Sequence, residues 1–462
     1  MTRSHALLTA LLAALSTCNH ATAQMGSNPR WTEAAYAHSG WHRSIEPARE
    51  FTWQTRLVSA DPDAACVQVA FASWHLGSAS VLTVESLLDG DIQLFDGRSM
   101  ETWGGYSAFF NGPGVLIRLY ADPADTDVFV ETSHLLVAGS TMFPRSICDG
   151  EDDRHHSNSL DIGRFNLNCT AWRITNGAVL TAGHCVDFDP DGAGAQLPDG
   201  VLDVAGAIVE FNVPDSTSSG QIIVAAVADQ FPVLPSSFTW RFDGVGQGLG
   251  KDWAAFRVGP NASTGLMPHE TYASPGVRIT RRVPNPGDLM ILAGFGVDDG
   301  VDNQVLQAAT GPFVGTYVGN ASPDVFHAYR VDSRGGNSGG PIFWFSPGGA
   351  VAIGIHTDGG CTDDGGYNAA TSFGVGALNT AVNTVLGPNV VHLDRNHPFP
   401  SSTEWGSVAS PYLSMIQAAL YYPDGANLSI VSGTYSLGTF ELGADGRSVT
   451  LTAPVGPVVI TR

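Results

Sequence analysis

Lysine is almost missing from this 462-residue chain. Lys251 stands alone, and the basic residues total 22 against 44 acidic ones, a net charge of −22. Without clusters of Lys and Arg there is nothing to neutralise a phosphate backbone, so no nucleic acid is expected as a partner. Charge of either sign is also scarce. Charged residues make up 14%, where a soluble domain averages about 25%, so Gly, Ser, Thr, Asn and Gln must carry much of the surface. Long apolar runs are absent as well: the stretch 6–15 is too short to cross a bilayer, and no membrane span is expected. With 54 Gly and 27 Pro spread along the chain, long helices are disfavoured and many short turns are expected. What is plentiful is core material. Apolar residues reach 43% and aromatics 9%, which excludes intrinsic disorder as the main state.

The amino terminus reads as an export signal. Arg3 precedes the apolar stretch 6–15, and Ala21-Thr22-Ala23 offers a small-x-small cleavage site, giving a leader over 1–23. A secreted chain meets an oxidising compartment, so disulfides are the expected state of most of the five remaining cysteines, Cys66, Cys148, Cys169, Cys185 and Cys361.

The length implies about three units. Residues 24–50 read as a loose leader. Alternating strands such as 66–71, 80–84, 114–119 and 127–130, separated by Asp, Gly and Pro turns, then predict an antiparallel β-sandwich, so that 24–145 forms one unit. Residues 146–392 again show short strands. The last stretch, 393–462, holds one short helix at 412–420 and four strand-like pieces. They resemble coils of a β-solenoid or a small sheet, too little to bury a core alone, so this tail is expected to dock on its neighbour.

Three motifs carry chemistry. In Gly336-Asn337-Ser338-Gly339-Gly340-Pro341, a serine between glycines leaves room for backbone N–H groups to turn inward beside a nucleophile. Gly336 and Ser338 would supply those oxyanion donors. In Thr181-Ala182-Gly183-His184-Cys185, a histidine arrives at the end of an apolar strand. Asp252, just before the apolar run Trp253-Ala254-Ala255-Phe256, is placed to accept an imidazole N–H. Each motif alone has a structural explanation as a cap, a core histidine or a Gly-rich hairpin. The three together, in this order, do not.

In the order His184, Asp252, Ser338, these residues resemble the chymotrypsin-like (trypsin-like) serine peptidases of bacterial secreted type, over about 146–392. The resemblance implies an all-β fold: a chymotrypsin-like double β-barrel, preceded by the sandwich and followed by the short C-terminal β segment. It implies a secreted, monomeric serine endopeptidase acting on protein or peptide substrates, with the sandwich as propeptide or accessory domain and processing near Pro144-Arg145-Ser146. Cys169 and Cys185 match the pair that brackets the histidine in that family. Cys148 and Cys361 match a pairing found in bacterial lysyl endopeptidases, which places Cys66 outside the pairs as a buried thiol.

Two positions depart from the mammalian pattern or pull against each other. Asn337 stands where digestive members hold the Asp that pairs with a freed amino terminus. Asp332 matches the position that selects Arg or Lys, whereas His356 matches the position that binds an acidic side chain in glutamate-specific members; Arg or Lys is the favoured expectation. If both line one pocket they would simply pair.

Asp187, Asp189 and Asp191 alternate before Gly192 like the start of a calcium loop. Pro198, however, holds the twelfth position, where such a loop needs a bidentate Glu, so a solvated acidic turn is expected and calcium is the alternative. No other cofactor or metal is expected. His155 and His156 read as part of a solvated loop rather than as ligands. The rival to an enzyme is a non-catalytic extracellular binding or matrix protein that retains the fold.

Overall fold

The computed structural model describes residues 30–43, 51–139, 145–187, 200–244, 249–319, 324–346, 349–398, 406–443 and 446–462. The expected export leader and the calcium candidates Asp189 and Asp191 lie outside the described residues.

The N-terminal unit is a sandwich of two four-stranded antiparallel sheets. Its edge strand, Arg30–His38, pairs with Phe129–Ala138, where the sequence suggested a loose leader. Ala-rich alternation with Thr32 and Glu33 gives that strand little apolar signature, and the partner strand supplies its order. The sandwich core does not end at the sandwich. Leu57, Val67, Phe95 and Phe110 share one buried cluster with Leu167, Ile208, Ile222 and Val227 of the following unit. Gln230 reinforces the junction, accepting the Phe109 N–H and donating to the Phe109 carbonyl, both at 2.8 Å.

Two barrel-like sheets follow. The first is a seven-stranded row: Gln230–Pro232, Ile208–Glu210, Ile162–Phe165, Cys169–Arg173, Val179–Thr181, Trp253–Phe256 and Thr239–Arg241. In the second, Gln307–Val318, Leu289–Gly294, Pro341–Ser346, Gly349–Asp358, Asn368–Ser372 and Val325–Tyr329 pair in turn. Val325–Tyr329 then pairs back with Gln307–Val318, closing a six-stranded barrel. This is the expected all-β, double-barrel plan, with the second barrel closed and the first a half-barrel. The short turns between strands follow from the Gly, Pro and Asn content.

His155–His156 forms a two-residue edge strand against Gln307–Ala308 rather than a loop. The His156 ring meets Asp302 at 2.5 Å.

The C-terminal unit stacks its strands in parallel: Val390–Leu393 on Ala426–Ile430 on Val449–Thr452, and Gly433–Ser436 on Val458–Thr461. Parallel stacking of successive strands is what solenoid coils produce. The expected boundary at 392/393 falls inside the first of these strands, which pairs with the tail. The tail also buries a core of its own, including Leu393, Met415, Tyr422, Leu428 and Ile430, which the sequence reading did not expect. It docks through a two-pronged Arg278–Asp394 ion pair, at 2.6 and 3.2 Å, and through His397 Nε2 to the Ile279 carbonyl at 2.9 Å.

Candidate active site

Antiparallel pairing of Val179–Thr181 with Trp253–Phe256 sets Thr181 opposite Ala254. The residues just beyond these two strand ends, His184 and Asp252, therefore meet. His184 sits in the tight turn Gly183–Cys185, where Gly183 has no room for a side chain: a Cβ there would lie 2.1 Å from the Arg241 carbonyl. Asp252 Oδ2 faces His184 Nδ1 at 2.5 Å, and Oδ1 accepts the His184 backbone N–H at 2.9 Å. The second barrel holds the aspartate from behind, since Thr371 Oγ1 donates to the Asp252 carbonyl at 2.8 Å. Burial opposes charging of the His184 ring. The Asp252 carboxylate, its hydrogen bond and the Asp358 charge outweigh that, so the His184 pKa is held above its ordinary value. His184 Nε2 is buried and makes no hydrogen bond to a described residue.

Ser338 lies on the loop between Ser333–Arg334 and Pro341–Ser346. Its glycines are dictated by the backbone: Gly336 and Gly339 have φ of +98° and +88°, and a Cβ on either would meet a carbonyl oxygen at 2.3 or 2.1 Å. The loop is pinned to the first barrel by the Thr170 N–H to the Ser338 carbonyl (2.8 Å), Thr170 Oγ1 to the Gly336 carbonyl (2.8 Å) and Trp172 Nε1 to the Gly339 carbonyl (3.0 Å). The Gly339 N–H ties it to the second barrel through the His356 carbonyl at 2.8 Å. The Gly335 carbonyl accepts from Val297 N and the Asn337 carbonyl from Gly340 N. In planar trans peptides these bonds aim the N–H groups of Gly336 and Ser338 the opposite way.

The Cys169–Cys185 and Cys148–Cys361 disulfides both form, and Cys66 is buried outside them. Cys185 Sγ lies 3.9 Å from the Ser338 carbonyl, so the first disulfide braces the histidine turn against the Ser338 loop. Cys169, His184 and Cys185 crowd together as a metal site would, but the two sulfurs are bonded to each other and are not available as thiolate ligands.

The two expected specificity residues take separate partners. Asp332, 3% exposed, accepts the backbone N–H groups of Cys148 at 2.7 Å and Asp153 at 3.0 Å, one on each oxygen. Burial raises its pKa; the two N–H bonds work against that, and the neighbouring Asp153 and Asp152 charges add to it. His356 is buried between Tyr329, whose hydroxyl meets Nδ1 at 2.5 Å, and Ser333, whose Oγ meets Nε2 at 2.7 Å. Burial, with the nearby His184, pushes the His356 pKa down to about 3 and keeps the ring neutral. Asp332 and His356 therefore do not pair. Ser333, Tyr329, Thr170 and Asp358 were not singled out in the sequence, although Ser333 and Asp358 flank singled-out residues. Asp187 is buried and receives Trp240 Nε1 at 3.3 Å, so that carboxylate faces an indole.

No family model and no curated protein matches the chain. Among solved structures it is similar to the thermostable serine protease AL20 from an extremophilic microorganism, at 16% identity, 46% of this chain, 92% of that one and a TM-score of 0.34. It is also similar to the protease Anisep from Arthrobacter nicotinovorans, at 15% identity, 49% and 98% coverage and a TM-score of 0.33. A third, the inactive form of the Rv3671c protease, reaches 14% identity, 47% and 86% coverage and a TM-score of 0.29. No helix among the described residues is long and apolar enough to cross a membrane.

Proposed function

We propose that this chain is a secreted, monomeric serine endopeptidase that cleaves protein or peptide substrates through Ser338, His184 and Asp252. The observation that carries the reading is the two-point grip of Asp252 on His184, with the glycine loop of Ser338 pinned between the same two barrels. Asp252 fixes the tautomer with the proton on Nδ1, leaving Nε2 as the base. Ser338 Oγ attacks the scissile carbonyl carbon while its proton passes to His184 Nε2. The N–H groups of Gly336 and Ser338 receive the oxyanion. The imidazolium then returns the proton to the leaving amine as the C–N bond breaks, and water hydrolyses the acyl ester by the same proton route. The absence of a bond at Nε2 is compatible with this role, because catalytic hydrogen bonds tighten only when substrate is bound.

For the side chain preceding the scissile bond, the geometry favours an acidic residue over Arg or Lys. Asp332 is buried, and a backbone N–H group anchors each of its oxygens, which turns the carboxylate toward the 148–153 segment rather than presenting it to a guanidinium. Where Tyr329 donates to His356 Nδ1 rather than to the Ala369 carbonyl 3.3 Å from its hydroxyl, His356 Nε2–H donates to Ser333 Oγ and the Ser333 hydroxyl is left to donate to an acceptor such as a substrate carboxylate. The test is hydrolysis of a peptide library by wild type and Ser338→Ala. Cleavage by wild type alone, after Glu or Asp, is expected; equal turnover by the two proteins would refute the assignment.

A further inference from the structure

The chain that precedes the first barrel is built into the wall that carries the nucleophile. Arg145–Ser146 pairs as an antiparallel strand with Ser333–Arg334. Ser146 is fully buried, and its hydroxyl is saturated: it donates to Asn368 Oδ1 at 2.6 Å and accepts the N–H groups of Gly360 and Cys361 at 2.9 and 3.0 Å. Asn368 Nδ2 in turn donates to the Val331 carbonyl at 2.7 Å. Asp332 takes the next two anchors, the N–H groups of Cys148 and Asp153. Arg334 reaches Asp152 at 2.8 Å and Asp298 at 3.1 Å, and Arg154 reaches the same two carboxylates at 2.7 Å each. The Cys148–Cys361 bond ties the segment to the turn between Gly349–Asp358 and Asn368–Ser372. Residues 331, 332, 333 and 334, which lead into Ser338, are therefore each held through this segment or its direct partners.

All of these contacts are present in one continuous chain. The Arg145–Ser146 peptide is itself inside a strand, with Ser146 out of reach of solvent, so it is a poor substrate for any protease while the fold is intact. The shared core between the sandwich and the first barrel points the same way, since the unit 30–139 does not lift off without exposing Leu167 and Ile208.

We propose that Asp332 is a positioning residue rather than a substrate-binding one. Through the Cys148 and Asp153 N–H groups it orders the nucleophile loop in the uncut chain, so that Ser338 is competent without cleavage at Arg145–Ser146. This rests on the peptidase reading above. The segment 146–153 supplies from within the chain the order that a freed amino terminus would otherwise provide.

The test has two arms on the full chain. First, freshly purified protein is treated with a fluorophosphonate and the adduct is weighed intact under denaturing conditions. Label on chains that still carry residues 30–139 is expected; label only on chains beginning at Ser146 overturns the proposal. Absence of label on every form would instead sink the peptidase reading, and this proposal with it. Second, kcat and KM are compared for wild type, Asp332→Ala and Asp332→Asn. A loop displaced by ~1 Å costs on the order of 100-fold, so Asp332→Ala should lose about that much in kcat/KM with a raised KM. Asp332→Asn, which keeps one acceptor oxygen, should recover about tenfold of the loss. Wild-type kinetics in Asp332→Ala overturns the proposal. If that variant does not fold, wild-type kinetics in Asp332→Asn does so.

Discussion

Both oxygens of Asp252 are committed to one residue, His184: Oδ2 to the ring at Nδ1, 2.5 Å away, and Oδ1 to the backbone N–H at 2.9 Å. The same carboxylate thus fixes the position of the turn and the tautomer of its side chain. Asp252→Asn can keep an acceptor for the backbone N–H but turns an amide N–H toward Nδ1, or flips and loses the backbone bond. The expected outcome is a fall in kcat of about 10⁴-fold, with the melting midpoint nearly unchanged. Steady-state kinetics beside a calorimetric scan checks it, and a loss below tenfold would mean that the tautomer is set by something else.

The pH dependence has a second carboxylate in it. Burial and the charge of Asp252 push the pKa of Asp358 up to about 6, and when ionised Asp358 helps hold the His184 pKa up. A general base must be neutral to act, so the raised His184 pKa sets the acidic limb of kcat/KM. Removing the Asp358 charge lowers that pKa. Asp358→Asn should therefore shift the acidic limb to lower pH and leave the plateau at higher pH in place. A shift to higher pH would contradict the coupling.

These two relationships were not equally legible in the sequence. His184, Asp252 and Ser338 announce themselves because each sits in a short string whose glycines and apolar strand are its immediate neighbours. The strand register then brings the strings together. The surroundings of Asp332 are hidden from the sequence for the opposite reason. Its partners lie 184 and 179 residues away and are backbone N–H groups, which leave no side-chain signature. The strand Arg30–His38 was missed because its order comes from pairing with a strand about a hundred residues later. The core of the tail was missed because a parallel stack buries residues that never alternate cleanly within one strand.

A buried ion pair lies inside the first barrel, between the strands Ile162–Phe165 and Ile208–Glu210. Arg164 meets Glu210 at 2.9 and 3.1 Å, both side chains essentially inaccessible, and also donates to the Ile223 and Gln304 carbonyls at 3.0 and 3.3 Å. Deleting one partner leaves an uncompensated buried charge, at a cost of about 3–5 kcal/mol. Glu210→Ala should lose that much in denaturant unfolding, whereas an exposed pair such as Arg43–Asp127 should lose less than about 1 kcal/mol. Equal effects at the two sites would contradict the burial argument.

Acid should destabilise the fold through its neutral histidines. Burial pushes His327 and His392 down to about 4 and His356 to about 3. Between the ordinary histidine pKa near 6.5 and these values the unfolded chain binds more protons than the folded one. Stability is therefore full above pH ~6.5 and is lost as pH falls, by up to about 1.4 kcal/mol per pH unit for each group. The melting midpoint of Ser338→Ala, which removes self-digestion, should fall steadily from pH 6.5 to pH 4. Asp358, whose pKa is raised to about 6, works in the opposite sense over the same window, as one group against three; a midpoint that rises toward pH 4 would contradict neutral rings.

A Ser338 nucleophile activated by His184 should react with a fluorophosphonate at its Oγ. Peptide mapping after fluorophosphonate treatment tests it most directly. A single adduct on Ser338 is expected in wild type, lost in Ser338→Ala and strongly slowed in His184→Ala. No adduct on native protein, beside a serine hydrolase labelled in the same tube, would contradict it.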